Sequence, residues 1–311
     1  MEAVLTTIGF LTLNLLVYPG FAFTAAVGLF LWWELRKLTA RFQWRVGPPV
    51  YQTFADLLKL LSKESIVPAE ANRLLFVSAP IIALSSVCVA ALLVPVAGMV
   101  PLNFAGDVIV LIYLLIMPSI MIVLAGSASA NPFGAIGSSR EMNLAIAYEL
   151  AVVVCLLTLC LDAGSLHISS IVGFNFVRYP LAAVALFLSI MAKLCLNPFE
   201  IPEAKTEIMA GPYTEYSGRL LGLFKLTYAM LLFILSSLLV SLFFHGPSTG
   251  FYPLDVLVHL AKCMVAVFLM AVVSAVNPRL RIDQALRFFW SFVFALALFD
   301  FVRAFIFSQL F

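Results

Sequence analysis

The chain has 311 residues, 63% of them apolar and only 11% charged, with a net charge of +2 and a mean hydropathy of +1.09. That balance excludes a soluble globular domain, in which about a quarter of residues are charged. A charge this small gives no basis for a nucleic-acid partner. Cys88, Cys155, Cys160, Cys195 and Cys263 all lie in apolar runs without a CxxC pair. They read as small buried side chains, so no metal or cofactor is expected on this chain itself.

Apolar runs long enough to cross a bilayer, about 20 residues each, recur at about 4–33, 74–98, 108–126, 142–161, 180–196, 220–244, 256–276 and 285–307. The expected fold is an all-α membrane protein in one polytopic domain over 1–311. It has eight transmembrane helices, one amphipathic interfacial helix and a charged cytoplasmic face. The first run is too long for a signal-peptide core and lacks a basic leader, so it reads as a span. Pro19, Pro95 and Pro118 fall inside spans and predict kinks.

Between the first two spans, residues 50–62 place Tyr51, Phe54, Leu57, Leu58 and Leu61 at helical spacing, with Gln52, Asp56, Lys59 and Lys63 elsewhere on the wheel. This predicts a helix lying on the membrane surface, with Asp56 and Lys59 close enough to pair. In span four, Glu149 sits about seven residues deep, where a carboxylate must be protonated, paired or wetted. It is a candidate proton relay. Lys193, at the end of span five, is either a snorkelling anchor or part of the same path. Lys262 in span seven either snorkels or meets a carboxylate. Asp300 and Arg303 in span eight are spaced to neutralise each other along one helix face.

Residues 197–218, NPFEIPEAKTEIMAGPYTEYSG, carry Glu200, Glu203, Glu207, Glu215 and Lys205 between two membrane-length runs. If 202–210 is helical, Glu203 and Glu207 share a face. Carboxylates packed in a partly dry site would titrate as a unit. The interspersed Pro198, Phe199, Ile201, Ile208 and Met209 predict that the loop tucks back against the protein.

Eight spans put 15 of the 18 Lys and Arg residues on one side. By the positive-inside rule that side is cytoplasmic, with both termini outside. Acidic residues gather there too, including Glu34, Glu64, Glu70 and Glu141 at loops or span edges. A surface rich in both signs suits docking of a soluble protein.

PFEIPEAKTEIMAGPYTEYSG closely resembles the signature of the respiratory complex I subunit 1 family. Arg41 to Glu64 resembles that family's first cytoplasmic loop, Arg140 with Tyr148-Glu149 its fourth-span entry, and Pro278 to Gln284 its last cytoplasmic loop. Lys205 stands where the quinone-reducing branch is usually acidic. With the 45–73 segment, it makes the chain most similar to the membrane anchor and coupling subunit of energy-converting (group 4) nickel–iron (NiFe) hydrogenases. The resemblance implies partners in a cell (plasma) membrane: hydrogenase-like large and small subunits, a ferredoxin-like iron–sulfur subunit and antiporter-like membrane subunits. The iron–sulfur clusters and NiFe centre would be in those partners. It implies that Glu149, Lys193, Glu200, Glu203, Lys205, Glu207 and Glu215 belong to a proton or coupling path. It implies that Arg41, Arg45, Asp56, Lys59, Arg140, Arg279, Arg281 and Asp283 shape the contact with the arm. No residue here is expected to be catalytic itself. The alternatives are a quinone-site-forming subunit of an NADH:quinone oxidoreductase, a lone secondary transporter and a purely structural anchor.

Overall fold

The computed structural model describes residues 12–246 and 250–310. Among the described residues, seven helical stretches are long and apolar enough to cross a membrane: Thr12–Phe42, Arg73–Leu93, Asp107–Ala128, Pro132–Ala163, Gly218–Phe243, Tyr252–Val276 and Ile282–Phe307. Pro180–Lys193 is a shorter apolar helix. The eight expected segments are all present, though the start of the first falls at residues outside those described. We label the helices α1 (Phe21–Phe42), α2 (Gln52–Ser62), α3 (Arg73–Leu93), α4 (Asp107–Ala128), α5 (Pro132–Ala163), α6 (Pro180–Lys193), α7 (Gly218–Phe243), α8 (Tyr252–Val276), α9 (Ile282–Phe288) and α10 (Phe294–Leu310). A π-helical segment, Phe289–Val293, joins α9 to α10.

Helix α7 is the axis of the bundle, with 94% of its most apolar window buried. Helices α1, α3 and α8 pack around it, while α5, α6 and α10 form a second group. Lipid offers apolar side chains the same environment as a neighbouring helix, so packing must come from close approach. Gly28 of α1 shows this: a Cβ there would collide with the Ala229 backbone of α7.

Several boundaries differ from expectation. Helix α1 runs to Phe42 rather than ending near 33, so Arg36, Lys37 and Arg41 are helical and not in a loop. Helix α5 begins at Pro132 rather than near 142, capped by the Asn131 side chain on the Phe133 N–H. Its first two and a half turns carry Glu141 into the protein. Pro95 does not kink a span but follows the end of α3, whereas Pro118 does lie inside α4. Pro19 falls in the break before α1. Helix α6 has only 14 residues, about 21 Å at 1.5 Å per residue, against a hydrocarbon core of about 30 Å. It stops at Leu194, where Cys195 adopts φ +48, and so leaves Lys193 inside the molecule.

The chain from 194 to 217 then folds back into the bundle. Phe199, Ile201, Ala204, Ile208 and Tyr216 are all buried. Tyr216 stacks on Phe76 of α3 with ring centroids 4.0 Å apart, and its hydroxyl donates to the Phe76 carbonyl at 3.0 Å. Irregular backbone at this depth is tolerated because protein, not lipid, surrounds it. Here a single α-helical turn, Lys205–Ile208, is followed by a 3-10 turn, Gly211–Tyr213, so the expected 202–210 helix is not formed. Pro202 precedes it rather than starting it, and Met209 at φ +59 ends it.

Candidate functional site

The charged ends of α1, α2, α5, α6, α7, α8 and α9 meet at one end of the bundle. Between them opens a vestibule of about 510 Å3 whose polar lining includes Arg36, Arg45, Glu200, Glu203 and Lys225. Glu203 also borders a second, water-sized cavity of about 30 Å3 deeper in, with Ser119, Lys193, Cys195, Tyr213 and Tyr228. It is the carboxylate shared by the open vestibule and the buried interior. It has no ion-pair partner among the described residues.

Beyond the deeper cavity lies a polar cluster on α5 and α6. The Lys193 ammonium pairs with Glu149 and sits 5.5 Å from the centroid of the Tyr148 ring. The Tyr148 hydroxyl donates to Glu141 at 3.1 Å and shares a 2.9 Å hydrogen bond with Ser119 of α4. The Cys195 thiol donates to the other Glu141 oxygen at 3.5 Å. Cys195 is only half-buried and lines both the deeper cavity and the vestibule. Of the three ways a buried carboxylate is accommodated, Glu149 uses pairing. The sequence alone sets Glu141 at a loop edge. The early start of α5 instead buries it at 1% exposure, and the Asn131-Pro132 cap and first-turn pair is the signal that points to this.

The four acidic-loop glutamates do not form one cluster. Glu200 pairs with Arg279 at 3.1 Å, and Glu207 with Arg140 at 2.7 Å. Glu215 accepts from Asn131 at a separate cavity near Glu70. Glu203 and Glu207 share no helix face, because the helix is a single turn. The Arg140 hydrogen bond holds the Glu207 carboxyl below the usual carboxylate range. Glu203 instead shares the water-sized cavity with Lys193. The Lys205 side chain lies outside what is described.

Of the expected docking residues, Arg41, Arg45, Lys59, Arg281 and Asp283 are exposed. Arg140 and Arg279 turn inward to anchor the acidic loop, Arg279 also reaching Thr206 at 3.4 Å. Asp56 bonds Arg36 at 3.3 Å and Gln52 at 2.8 Å rather than Lys59, because α1 packs beside α2 and offers a nearer cation. At the opposite end, Asp300 lies beside Arg303 at 3.5 Å and accepts the Ala182 N–H at 2.8 Å, locking α10 onto the first turn of α6. Among the described residues no group of three or more His, Cys, Asp or Glu could hold a metal.

A multi-helix membrane bundle whose charged vestibule leads to buried carboxylates defines a polytopic membrane protein with an intramembrane ionisable site. The sequence profile described as NADH dehydrogenase matches residues 13–305. The chain is 33% identical over 306 residues to an NADH-quinone oxidoreductase subunit of Dehalococcoides mccartyi (strain CBDB1), covering 92% of this chain and 84% of that one. It is 31% identical over 297 residues to NADH-quinone oxidoreductase subunit 8 of Rhodothermus marinus, covering 85% and 87%. Its fold matches a chain in the structure of the membrane-bound sulfane sulfur reductase, an archaeal respiratory membrane complex, with a TM-score of 0.86 and 26% identity, over 96% of this chain and 99% of that one. The chain belongs to the NADH dehydrogenase subunit 1 family.

Proposed function

We propose that this chain is the membrane subunit that anchors the soluble iron–sulfur and NiFe arm of an energy-converting, hydrogenase-type complex. It couples ferredoxin- and hydrogen-linked redox chemistry to proton or sodium movement. The arm docks at the charged end, which faces the cytoplasm of the cell membrane, leaving both termini outside. The antiporter-like subunits lie beside it in the bilayer. The observation that carries this reading is the position of Glu203 between the vestibule and the Glu141–Tyr148–Ser119 and Glu149–Lys193 pairs. A charge change in a docked arm alters the field at Glu203, and the water-sized cavity lets a proton pass between it and the buried groups. Glu200, Glu207 and Glu215, each held by a partner, position the loop around this path.

The charged lining of the vestibule, with Arg36, Arg45, Lys225 and Glu200, suits a protein loop better than the long apolar tail of a quinone. The likeness to a sulfane sulfur reductase complex supports a non-quinone arm. The second reading, a quinone-reducing complex, is favoured by the names of the 31–33% identical relatives. Metal analysis and turnover of the purified assembly separate them. Nickel with ferredoxin-driven hydrogen evolution supports the first. Quinone-dependent turnover without nickel refutes it. Glu203→Gln is expected to keep the assembly and its electron transfer while lowering ion movement per electron. Unchanged pumping in that variant removes Glu203 from the path.

A further inference from the structure

A second cavity system lies at the end of the bundle opposite the acidic loop. Helices α6 and α8 both rest on α7 and leave a groove of about 930 Å3 between them. Its walls are apolar, formed by Val184 and Phe187 of α6, Leu239 and Val240 of α7, and Val265 and Leu269 of α8. The polar side chains of its described lining gather at one end, where His245 and Lys262 stand. The Lys262 ammonium donates to the Phe244 carbonyl at 3.0 Å. A Cβ at Gly246 would overlap that ammonium, so the glycine makes room for it. An ammonium has three protons, and this hydrogen bond uses one. Behind Lys262, a small cavity of about 40 Å3 also holds Asp255 and His259. His259 is bonded to Ser237 at 2.8 Å, and neither it nor Asp255 lines the groove.

The groove follows α8 from Lys262 to Val273. Eleven residue steps at 1.5 Å make about 16 Å. That is half of a hydrocarbon core about 30 Å thick, the depth of a single leaflet. A transmembrane helix from a partner would need the full thickness. A molecule with one charged end and an apolar remainder one leaflet long fits both the length and the charge distribution.

We propose that this groove binds one anionic phospholipid, its headgroup phosphate on Lys262 and His245 and its acyl chains between α6 and α8. A charge-assisted hydrogen bond from the ammonium fixes the head, and Val184, Val265 and Leu269, all substantially exposed in the protein alone, gain cover from the chains. The site is remote from Glu203 and independent of which redox arm is bound.

The test uses the intact purified assembly reconstituted with phosphatidylglycerol that carries a photoreactive group on one acyl chain. After irradiation, adducts are mapped by peptide mass spectrometry. Adducts are expected on 183–187 and 265–273. Lys262→Gln is expected to lower them about tenfold, the loss of one charge-assisted contact, and Lys262→Arg to retain them. Because Lys262 also caps α7, Leu269→Trp is a second variant. It fills the groove from an exposed wall position without touching the cap, and is expected to lower labelling equally. Undiminished labelling in both Lys262→Gln and Leu269→Trp overturns the proposal. So does equal labelling by a phosphatidylcholine analogue, or cross-linking of the groove to a partner protein in place of lipid.

Discussion

Replacing Lys193 by methionine measures how strongly the buried pair holds α5 to α6. The Lys193 and Glu149 side chains are 1% and 12% exposed, so bulk solvent does not reach a charge left without its partner. Removing one member of such a pair costs about 3–5 kcal/mol, roughly two to nearly four orders of magnitude in the folded-to-unfolded ratio. The desolvated Lys193 contact with the Tyr148 ring adds about 2 kcal/mol. An internal control is available in Arg36–Asp56, whose side chains are 38% and 40% exposed. Pairs exposed to that degree are worth about 0–1 kcal/mol, so Arg36→Met should fall well short of Lys193→Met. The double variant Lys193→Met with Glu149→Gln leaves no orphaned charge and should recover most of the loss. Unfolding of the purified assembly in mixed micelles, followed by circular dichroism, gives all four values. The reasoning fails if Lys193→Met costs no more than Arg36→Met, or if the double variant costs the sum of its two singles.

Three further outcomes follow from the geometry. Arg140 lowers the folded pKa of Glu207, so this pair stabilises the loop above the ordinary glutamate value of about 4.3 and releases it as pH falls through the lowered folded value. In Arg140→Gln, carbodiimide labelling of Glu207, which reports its protonated form, should begin at higher pH than in the wild type. Tyr216→Phe keeps the ring stack on Phe76 but deletes the hydrogen bond at 3.0 Å, and should cost about 1 kcal/mol, whereas Gly28→Leu, placed against the α7 backbone, should block assembly of the bundle.

The eight apolar segments are legible because membrane-spanning helices bond all their backbone groups internally, so length and composition suffice to find them. The α2 helix is legible for a similar reason, since its amphipathic period is local. The start of α5 is harder. Arg140 and Glu141 look like a loop because charge is usually excluded from spans; contact with Tyr148 and Cys195 makes the burial of Glu141 tolerable, while Arg140 stays partly exposed and pairs with Glu207. The carboxylate cluster misleads in the same way. Spacing along the loop suggests Glu203 with Glu207, but one short helical turn sends Glu207 outward to Arg140 and leaves Glu203 on the cavity that Lys193 also lines.

Hydropathy and signature motifs are properties of adjacent residues, and they are enough to establish a helical membrane bundle with charge gathered at one end, together with its family. Long-range packing settles the rest: which carboxylates meet, that α6 ends short and brings Lys193 to Glu149, and that Glu203 joins the vestibule to the interior. Those pairings cross dozens of residues. They follow from where helices stop and how closely they pack, and the energy of a charge in a low-dielectric interior depends on the partner it finds there.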